Sequence, residues 1–326
     1  MALPGGPAAD HRPFLRRGMG GIIYETPSLQ RGLRALLTST LLGVSLAGGA
    51  CHEHPREATG RIWVVDDAGD TVRLQEPARR VVSLIPATTE LVFAIGAGSS
   101  LVGRTSYCDY PPAAKAVPDL GDGIKPSIEA VLAQRPDLVT LYNSGQNAAV
   151  AGRLQELGIP ALRINTDALS DVDRVARILG TVTGRQRGAD SVAAAFDTAL
   201  AAATRPAKGP RPRILLLVWE QPPMTIGRGS FLHELVERAG GENLFGDVAA
   251  SSGVVSIEAV AARDPDLIFT TNEGPASFAT RPEWQVVPAI REHRFLGVSG
   301  SEFNWPSPRA PAAIRELTAR MDAARR

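Results

Sequence analysis

The side chains that most often bind metals or act as nucleophiles are scarce in this 326-residue sequence. It has five histidines and two cysteines, and beyond residue 60 the histidines are His233 and His293. A zinc or manganese site gathers several His and carboxylate ligands, which two isolated histidines do not provide. No Gly-x-Ser-x-Gly segment and no cysteine–histidine pairing is evident. We therefore predict no metal site, no catalytic residue, no cofactor and no enzyme activity, with a secreted hydrolase as the least favoured function.

Aromatic side chains that follow predicted strands are better candidates for a binding site. Trp219 ends the apolar run ILLLVW, and Phe303 and Trp305 follow the glycine-rich strand end GVSG. Flat, partly apolar faces of this kind suit a wide ligand held in a cleft. The alternative, that these side chains pack in the core, stays open.

The segment SIEAV occurs twice, at Ser127–Val131 and at Ser256–Val260. Each copy begins with a serine that can cap a helix, and Glu129 or Glu258 falls in the first turn, at the positive end of the helix dipole. A proline and an apolar strand follow in both copies. Such features are common at helix ends, but the extent of the match favours a duplicated unit over convergence.

Strands and helices alternate along the chain in two similar series. Val81–Ile85 and Ile214–Trp219 are predicted as buried strands, and the apolar runs after them, Glu90–Ile95 and Leu232–Ala239, as helices. This alternation predicts an α/β protein of two Rossmann-like lobes, with a ligand cleft between them at the carboxyl ends of the strands. The formal net charge of +1 argues against nucleic-acid binding.

Apolar residues at helical spacing between the two lobes predict a connecting helix. A single long helix would join the lobes as a stiff strut on the order of 50 Å long, and a break in it near Gly184 is the alternative. The predicted domains are a signal or extension (residues 1–50), a tether (51–60), an N-terminal lobe (61–169), the connecting helix (170–204) and a C-terminal lobe (205–326).

The N-terminal region resembles an export signal. Arg31 and Arg34 precede a short apolar run, and small residues lead directly to Cys51. The run is shorter than the ~20 residues of a membrane span. We predict a lipid anchor at Cys51, with an uncleaved anchor helix as the alternative, and we expect Cys108 to be a small buried group without a partner.

Four longer motifs carry a resemblance to a known family: RVVSLIPATTELVFAIG, LVGRTSYCDYPP, IEAVLAQRPDLV and LVERAGGENLF. Over residues 80 to 326 the chain resembles the periplasmic substrate-binding proteins of ABC importers for large metal chelates, and the vitamin B12-binding proteins above all. The resemblance implies a monomer outside the cytoplasm, in the periplasm where there is one, that delivers its ligand to a permease dimer with ATPase subunits. It also implies that Glu129 and Glu258 dock into arginine pockets on the two permease subunits; the alternative is that both only complement their helix dipoles.

The same resemblance implies a ligand and some of its contacts. The expected ligand is a cobalt corrinoid, cobalamin or cobinamide, held by the aromatic side chains of Tyr107 and Tyr142 and by a backbone donor at Ala87. Gly123 and Ser252 stand where the family often has tryptophan, which makes the pocket less aromatic. Ferric siderophores and haem, which relatives of this fold bind, are the alternative ligands.

Overall fold

The computed structural model describes residues 61–206, 209–270 and 276–325. These residues belong to one compact unit that spans Arg56–Arg326. The predicted signal, the tether and Cys51 lie outside the described residues and stay predictions. In the described part of the chain, no helix combines the length and the apolar character needed to cross a membrane.

The described strands form a short hairpin and two larger sheets. Strands β1 and β2 pair antiparallel, a four-stranded parallel sheet has the order β4-β3-β5-β6, and a mixed sheet has the order β10-β8-β7-β11-β12 with β9 beside β7. The strands are β1 (Ile62–Val65), β2 (Thr71–Leu74), β3 (Val81–Ser83), β4 (Leu101–Arg104), β5 (Leu138–Tyr142), β6 (Ala161–Ile164), β7 (Arg213–Glu220), β8 (Pro223–Ile226), β9 (Glu242–Asn243), β10 (Ser252–Val254), β11 (Leu267–Thr270) and β12 (Phe295–Gly297).

Helices connect the parallel strands, which confirms the predicted α/β class with two lobes. The central strands β5 and β7 each contain four consecutive buried residues, the pattern of parallel strands that are covered on both faces. The helices are α1 (Pro86–Ala94), α2 (Ile128–Ala133), α3 (Gly145–Glu156), α4 (Asp171–Thr183), α5 (Gln186–Ala203), α6 (Phe231–Arg238), α7 (Ile257–Arg263), α8 (Pro288–Arg291) and α9 (Ala310–Ala324).

Helix α1 begins four residues earlier than the sequence pattern predicted. Pro86 occupies the first turn, where its missing N–H costs nothing, so the helix starts at the proline and not at the threonines. The two threonine hydroxyls are buried instead. Thr88 donates to the carbonyl of Ile85 at 2.9 Å, and Thr89 donates to Ser83 at 2.8 Å. These bonds fasten the start of α1 to the end of β3.

The repeated segments form equivalent units, as the sequence predicted. Ser127 and Ser256 cap α2 and α7 by accepting hydrogen bonds from the backbone three residues later, at 3.2 and 3.1 Å. After each helix an aspartate accepts from a backbone N–H at the start of the neighbouring strand, where Arg80 directly precedes β3 and Arg213 is the first residue of β7. Asp137 accepts from Arg80 at 2.9 Å, and Asp266 accepts from Arg213 at 2.7 Å.

The connecting segment is two helices and not the single long helix that the periodicity predicted. Gly184 ends α4 in the left-handed conformation, with a φ of 67°, and the chain turns there. Arg177 on α4 lies 2.6 Å from Asp190 on α5, although 13 residues separate them along the chain. The span between the lobes is therefore left to α5, whose 18 residues extend about 27 Å.

One apolar cluster continues from the first lobe to the second. It includes Val81 and Leu138 of the first sheet, Phe196 of α5, Ile214 of the second sheet and Leu317 of α9, all of them buried. Each lobe also has a smaller cluster on the other face of its sheet. The lobes therefore share a core, and moving one against the other would expose apolar surface.

Candidate functional site

A cavity of about 440 Å³ lies beside the carboxyl ends of the strands of the first lobe. Its walls include residues that directly follow β3, β4 and β5, among them Pro86, Tyr107 and Ser144. Asn304 and Trp305 of the second lobe complete it. The cavity therefore lies between the lobes at the edge where parallel strands end, the place where open α/β sheets bind ligands.

Two further cavities adjoin the first. One of about 360 Å³ shares Thr166 and Asn304 with it, and one of about 470 Å³ shares Asn304. Phe303 lines the second and the third. We call these three neighbouring cavities together the cleft; each has a volume in the range of small-molecule binding sites.

The side chain of Ala87 is fully buried, so this residue offers the cleft its backbone alone. Ile85 and Pro86, just before it, line the first cavity. The N–H of Ala87 belongs to the first turn of α1, where no carbonyl of the same helix is available to accept it. A backbone donor at this position remains a prediction, and the helix start faces the same cavity through its neighbours.

Tyr142 ends β5 and presents its ring to the first cavity with 37% of its surface exposed. Its hydroxyl donates a 2.7 Å hydrogen bond to Asp167. Burial, followed by this hydrogen bond and the negative charge of Asp167, raises the pKa of Tyr142 to about 12. The phenol therefore stays neutral at physiological pH. A ligand in the first cavity would contact its flat aromatic face and not an anionic oxygen.

Tyr107 lies in the loop after β4, lines the same cavity and is 62% exposed. The loop is anchored by the next residue, because the sulfur of the buried Cys108 lies 3.1 Å from the Thr89 hydroxyl and 3.2 Å from the Thr105 hydroxyl, within hydrogen-bond distance of both. The expectation of a small buried cysteine is thus confirmed. The anchored loop leaves Tyr107 free to pack on a ligand.

Trp305 and Phe303 differ in what they contribute. Trp305 is half-buried, lines the first cavity and donates from Nε1 to Glu90 at 2.8 Å. Phe303 is only 3% exposed and packs edge-on against Phe269, with ring centroids 6.3 Å apart. Trp305 is therefore part of the wall, whereas Phe303 is chiefly core and presents only an edge to the cleft.

The structure does not bring Trp219 into any of the three cavities. The pairing of β7 with β8 shifts register between Leu217 and Trp219. Val218 lines the second cavity in its place, while Trp219 is 62% exposed and donates to the carbonyl of Gln221 at 2.9 Å. A register shift of this kind redirects side chains and has no signature in the apolar run itself.

Several polar residues of the cleft were not anticipated from the sequence. Asp122, Asp167 and Asp109 line the first, second and third cavities, respectively. Asn147 is 3% exposed and lines the first cavity, and its side-chain oxygen has no hydrogen-bond partner among the described residues. All four follow strands or sit in the first turn of α3, and that position was the available signal.

Glu129 and Glu258 are exposed and equivalent. Each lies in the first turn of a helix that leads into a parallel strand, so its N-terminus lies at the carboxyl edge of the sheet, where the cleft is. Hydrogen bonds from its own backbone N–H and from the capping serine lower the pKa of each carboxyl. The two side chains therefore place one permanent negative charge on each lobe, beside the cleft.

Within the described residues, no group of three or more His, Cys, Asp or Glu side chains is placed to hold a metal ion.

Comparison with known proteins places this architecture. A family model described as "Periplasmic binding protein" matches residues 81–299, more than half of the chain. The vitamin B12-binding protein of Vibrio parahaemolyticus serotype O3:K6 is 29% identical over 257 residues, which cover 77% of this chain and 92% of that protein. A Bacillus subtilis protein described as an uncharacterized ABC transporter substrate-binding lipoprotein, YvrC, is 27% identical and covers 78% of this chain, with 83% of its own length matched.

Among solved structures, the periplasmic heme-binding protein RhuT of Roseiflexus sp. RS-1, in its apo form, superposes with a TM-score of 0.67. It is 25% identical in sequence and covers 76% of this chain and 100% of its own. The chain belongs to the family of periplasmic binding proteins.

Proposed function

We propose that this periplasmic binding protein captures a corrinoid, cobalamin or cobinamide, and delivers it to the permease of an ABC importer. The observation that carries the proposal is the wall of the first cavity, where Tyr107, Tyr142 and Trp305 meet from both lobes. Three aromatic faces around an opening suit a wide macrocycle better than a small polar solute. The relatives add a vitamin B12-binding protein and an ABC transporter lipoprotein with similar sequences.

A direct titration tests the ligand. The purified protein is titrated with cyanocobalamin, cobinamide, a ferric siderophore and haem, followed by calorimetry and by visible absorbance. We expect one corrinoid per protein and tight binding, since a cleft already formed needs little ordering. Saturable binding of a ferric siderophore or haem, with none of any corrinoid, would replace the ligand in this proposal.

Variants of the wall test the site. Tyr107→Ala and Trp305→Ala are expected to weaken corrinoid binding on the order of tenfold each, because both remove an aromatic face from the first cavity. Trp63→Ala is the matched control, since Trp63 lies on the hairpin and is 60% exposed outside the three cavities. Equal corrinoid affinity in all three variants would show that the ligand does not bind in this cleft.

Haem is the second candidate ligand, and the fold of a heme-binding neighbour favours it. The hydroxyl of Tyr142 already donates to Asp167 at 2.7 Å, and it would have to give up that hydrogen bond to bind iron. Tyr107 lines the same cavity and is exposed, so Tyr107→Phe tests directly whether the protein binds haem through the Tyr107 hydroxyl. We expect Tyr107→Phe to reduce the affinity for a corrinoid far less than the affinity for a haem whose iron is bound by that hydroxyl.

We further propose a location and two partners. The protein acts outside the cytoplasm as a monomer and is held at the membrane by a lipid on Cys51. It docks on a permease dimer, which works with ATPase subunits, through Glu129 and Glu258. The paired exposed carboxylates, one on each lobe, support the docking, and the lipoprotein description of a relative supports the anchor.

A further inference from the structure

We propose that the cleft selects its ligand by charge: it accepts neutral or cationic chelates whose rim carries hydrogen-bond donors, and it rejects anionic ones. The inference rests on the proposed function, since it concerns the ligand class of the same site. It separates the corrinoids, whose side chains end in amides, from haem, whose propionates are anionic, and from ferric catecholates.

The walls of the cleft carry negative charge. Each of the three cavities is lined by one carboxylate, Asp122, Asp167 or Asp109. In the described part of the chain, no lysine, arginine or histidine lines any of them. An anionic chelate placed here would face these three carboxylates, and because all three are exposed, their repulsion is that of surface charges and is strongest at low ionic strength.

The cations near the lining residues are either bound to other groups of the protein or exposed to solvent. Arg104 is buried and donates to the carbonyls of Ala114 and Thr105 at 2.9 and 2.8 Å. Arg309, which donates to Ser301 of the third cavity at 2.9 Å, is bound to Glu90. Lys125 and Arg228 are exposed next to lining residues and are not part of the walls.

The walls of the cleft also present hydrogen-bond acceptors that no donor of the protein occupies. Asn147 is 97% buried beside the first cavity, donates its amide N–H to the carbonyl of Tyr142 at 2.9 Å and keeps an unpartnered side-chain oxygen. A buried acceptor without a donor costs free energy that a ligand N–H or a bound water can recover. Carboxylates and this amide oxygen together favour a rim of N–H donors, such as primary amides or protonated groups.

The test uses ligands that differ in charge and hardly in shape. Cyanocobalamin is compared with its monocarboxylic acid, in which one side-chain amide is replaced by a carboxylate, at low ionic strength where charge effects are largest. We expect the acid to bind on the order of tenfold more weakly. Equal affinity of amide and acid would overturn the proposal.

Variants then assign the discrimination to the walls. The triple variant Asp109→Asn, Asp122→Asn, Asp167→Asn keeps hydrogen-bond acceptors and removes the three charges, so the amide and the acid should bind within about twofold of each other. Asp197→Asn is the control, because Asp197 is exposed on α5 outside the cleft and changes the net charge equally per site. If the triple variant discriminates as the wild type does, the walls are not the cause.

A second set of probes separates this proposal from the proposed function. Haem and a ferric catecholate are anionic, whereas ferrioxamine B is a cationic iron chelate. Binding of ferrioxamine B with no binding of corrinoids would reject the corrinoid and support the charge rule. Tight binding of haem or of the ferric catecholate would reject the charge rule whatever corrinoids do.

Discussion

Arg309 of the second lobe and Glu90 of the first form a two-pronged ion pair, with Nε 2.9 Å from Oε2 and Nη2 2.6 Å from Oε1. The Glu90 side chain is 3% exposed and that of Arg309 is 17% exposed. Trp305 donates to the same carboxylate, and Arg309 stacks 4.1 Å above the ring of Tyr110. One buried acid of α1 thus fixes both the contact between the lobes and a wall of the cleft.

Glu90→Gln is expected to destabilise the protein by about 2–3 kcal/mol. Breaking a buried pair leaves its partner uncompensated, which costs ~3–5 kcal/mol, and Arg309 keeps Glu302 and some solvent as compensation. Denaturant unfolding measures the loss. Glu156→Gln is the control, since that pair with Arg153 is exposed on both sides and should matter by less than about 1 kcal/mol. Equal stabilities for the two variants would show that the ion pair does not hold the lobes.

Gly188→Ala should destabilise the protein by about 1–3 kcal/mol although alanine favours helices. A Cβ at Gly188 on α5 would lie 2.1 Å from the carbonyl oxygen of Ile95, so α5 or α1 must shift. Gly152→Ala on α3 meets no atom within 4 Å and should gain about 0.5–1 kcal/mol. Thermal unfolding of the two variants compares these signs. A stabilising Gly188→Ala would contradict the close packing of α5 on the first lobe.

The Tyr142 phenol should titrate well above the ordinary pKa of a tyrosine, about 10. Its folded pKa is raised to about 12 from the ordinary value of about 10, so its contribution to stability is complete below pH 10 and is lost as the pH rises through 12. The phenolate absorbance of wild type minus Tyr142→Phe isolates this group. Asp167→Asn should lower the pKa only in part, because burial is the larger cause. A Tyr142 that titrates near 10 would exclude the hydrogen-bonded, half-buried phenol.

Reversing both docking charges, Glu129→Lys with Glu258→Lys, should leave corrinoid affinity unchanged and abolish uptake. An exposed ion pair contributes little by itself, but like charges brought together at an interface cost several kcal/mol. Uptake in vesicles with the reconstituted importer is the measurement.

The matched control for this reversal is Glu156→Lys with Glu292→Lys. These exposed residues also lie one on each lobe, but they precede β6 and β12 and so stand at the opposite edge of the sheets. Wild-type uptake by the first pair of variants, or equal loss by both pairs, would refute docking through Glu129 and Glu258.

Cys51→Ala should release the protein from the membrane. The apolar run that ends in small residues before Cys51 motivates this expectation, since a lipid chain gains about 0.8 kcal/mol for each buried CH₂ group. Fractionation followed by mass measurement of the mature N-terminus checks it. A wild-type protein found wholly in the soluble extracytoplasmic fraction, with an unmodified Cys51, would rule out the anchor.

How far the sequence predicts the structure depends on whether the signal is local. The capped starts of α2 and α7 follow from serine caps and acidic first turns, and the structure has them where predicted. The sequence left open whether the helix breaks near Gly184, because a glycine inside a helical pattern does not reveal whether it adopts a positive φ. The packing of α4 on α5 in the tertiary structure decides that the chain turns at Gly184.

The cleft is less predictable than the fold for the same reason. Trp219 follows the strand pattern, but a register shift in the pairing of β7 with β8 places it outside the cavities. The unpartnered oxygen of Asn147 depends on which carbonyl its amide reaches, and that is a contact across the tertiary structure. Position after a strand identified the neighbourhood of the site, whereas the direction of each side chain required the packed structure.

The apolar cluster that runs unbroken from the first sheet through α5 to α9 has a kinetic consequence for transport. With the lobes fixed on one core, we expect little difference in the spacing of Glu129 and Glu258 between the empty and the filled protein. If the protein docks through these two carboxylates as proposed, the empty form should bind the importer as the filled form does and compete with it. An excess of unloaded protein should therefore slow uptake, so that the ratio of this protein to its ligand, and not its abundance alone, sets the flux.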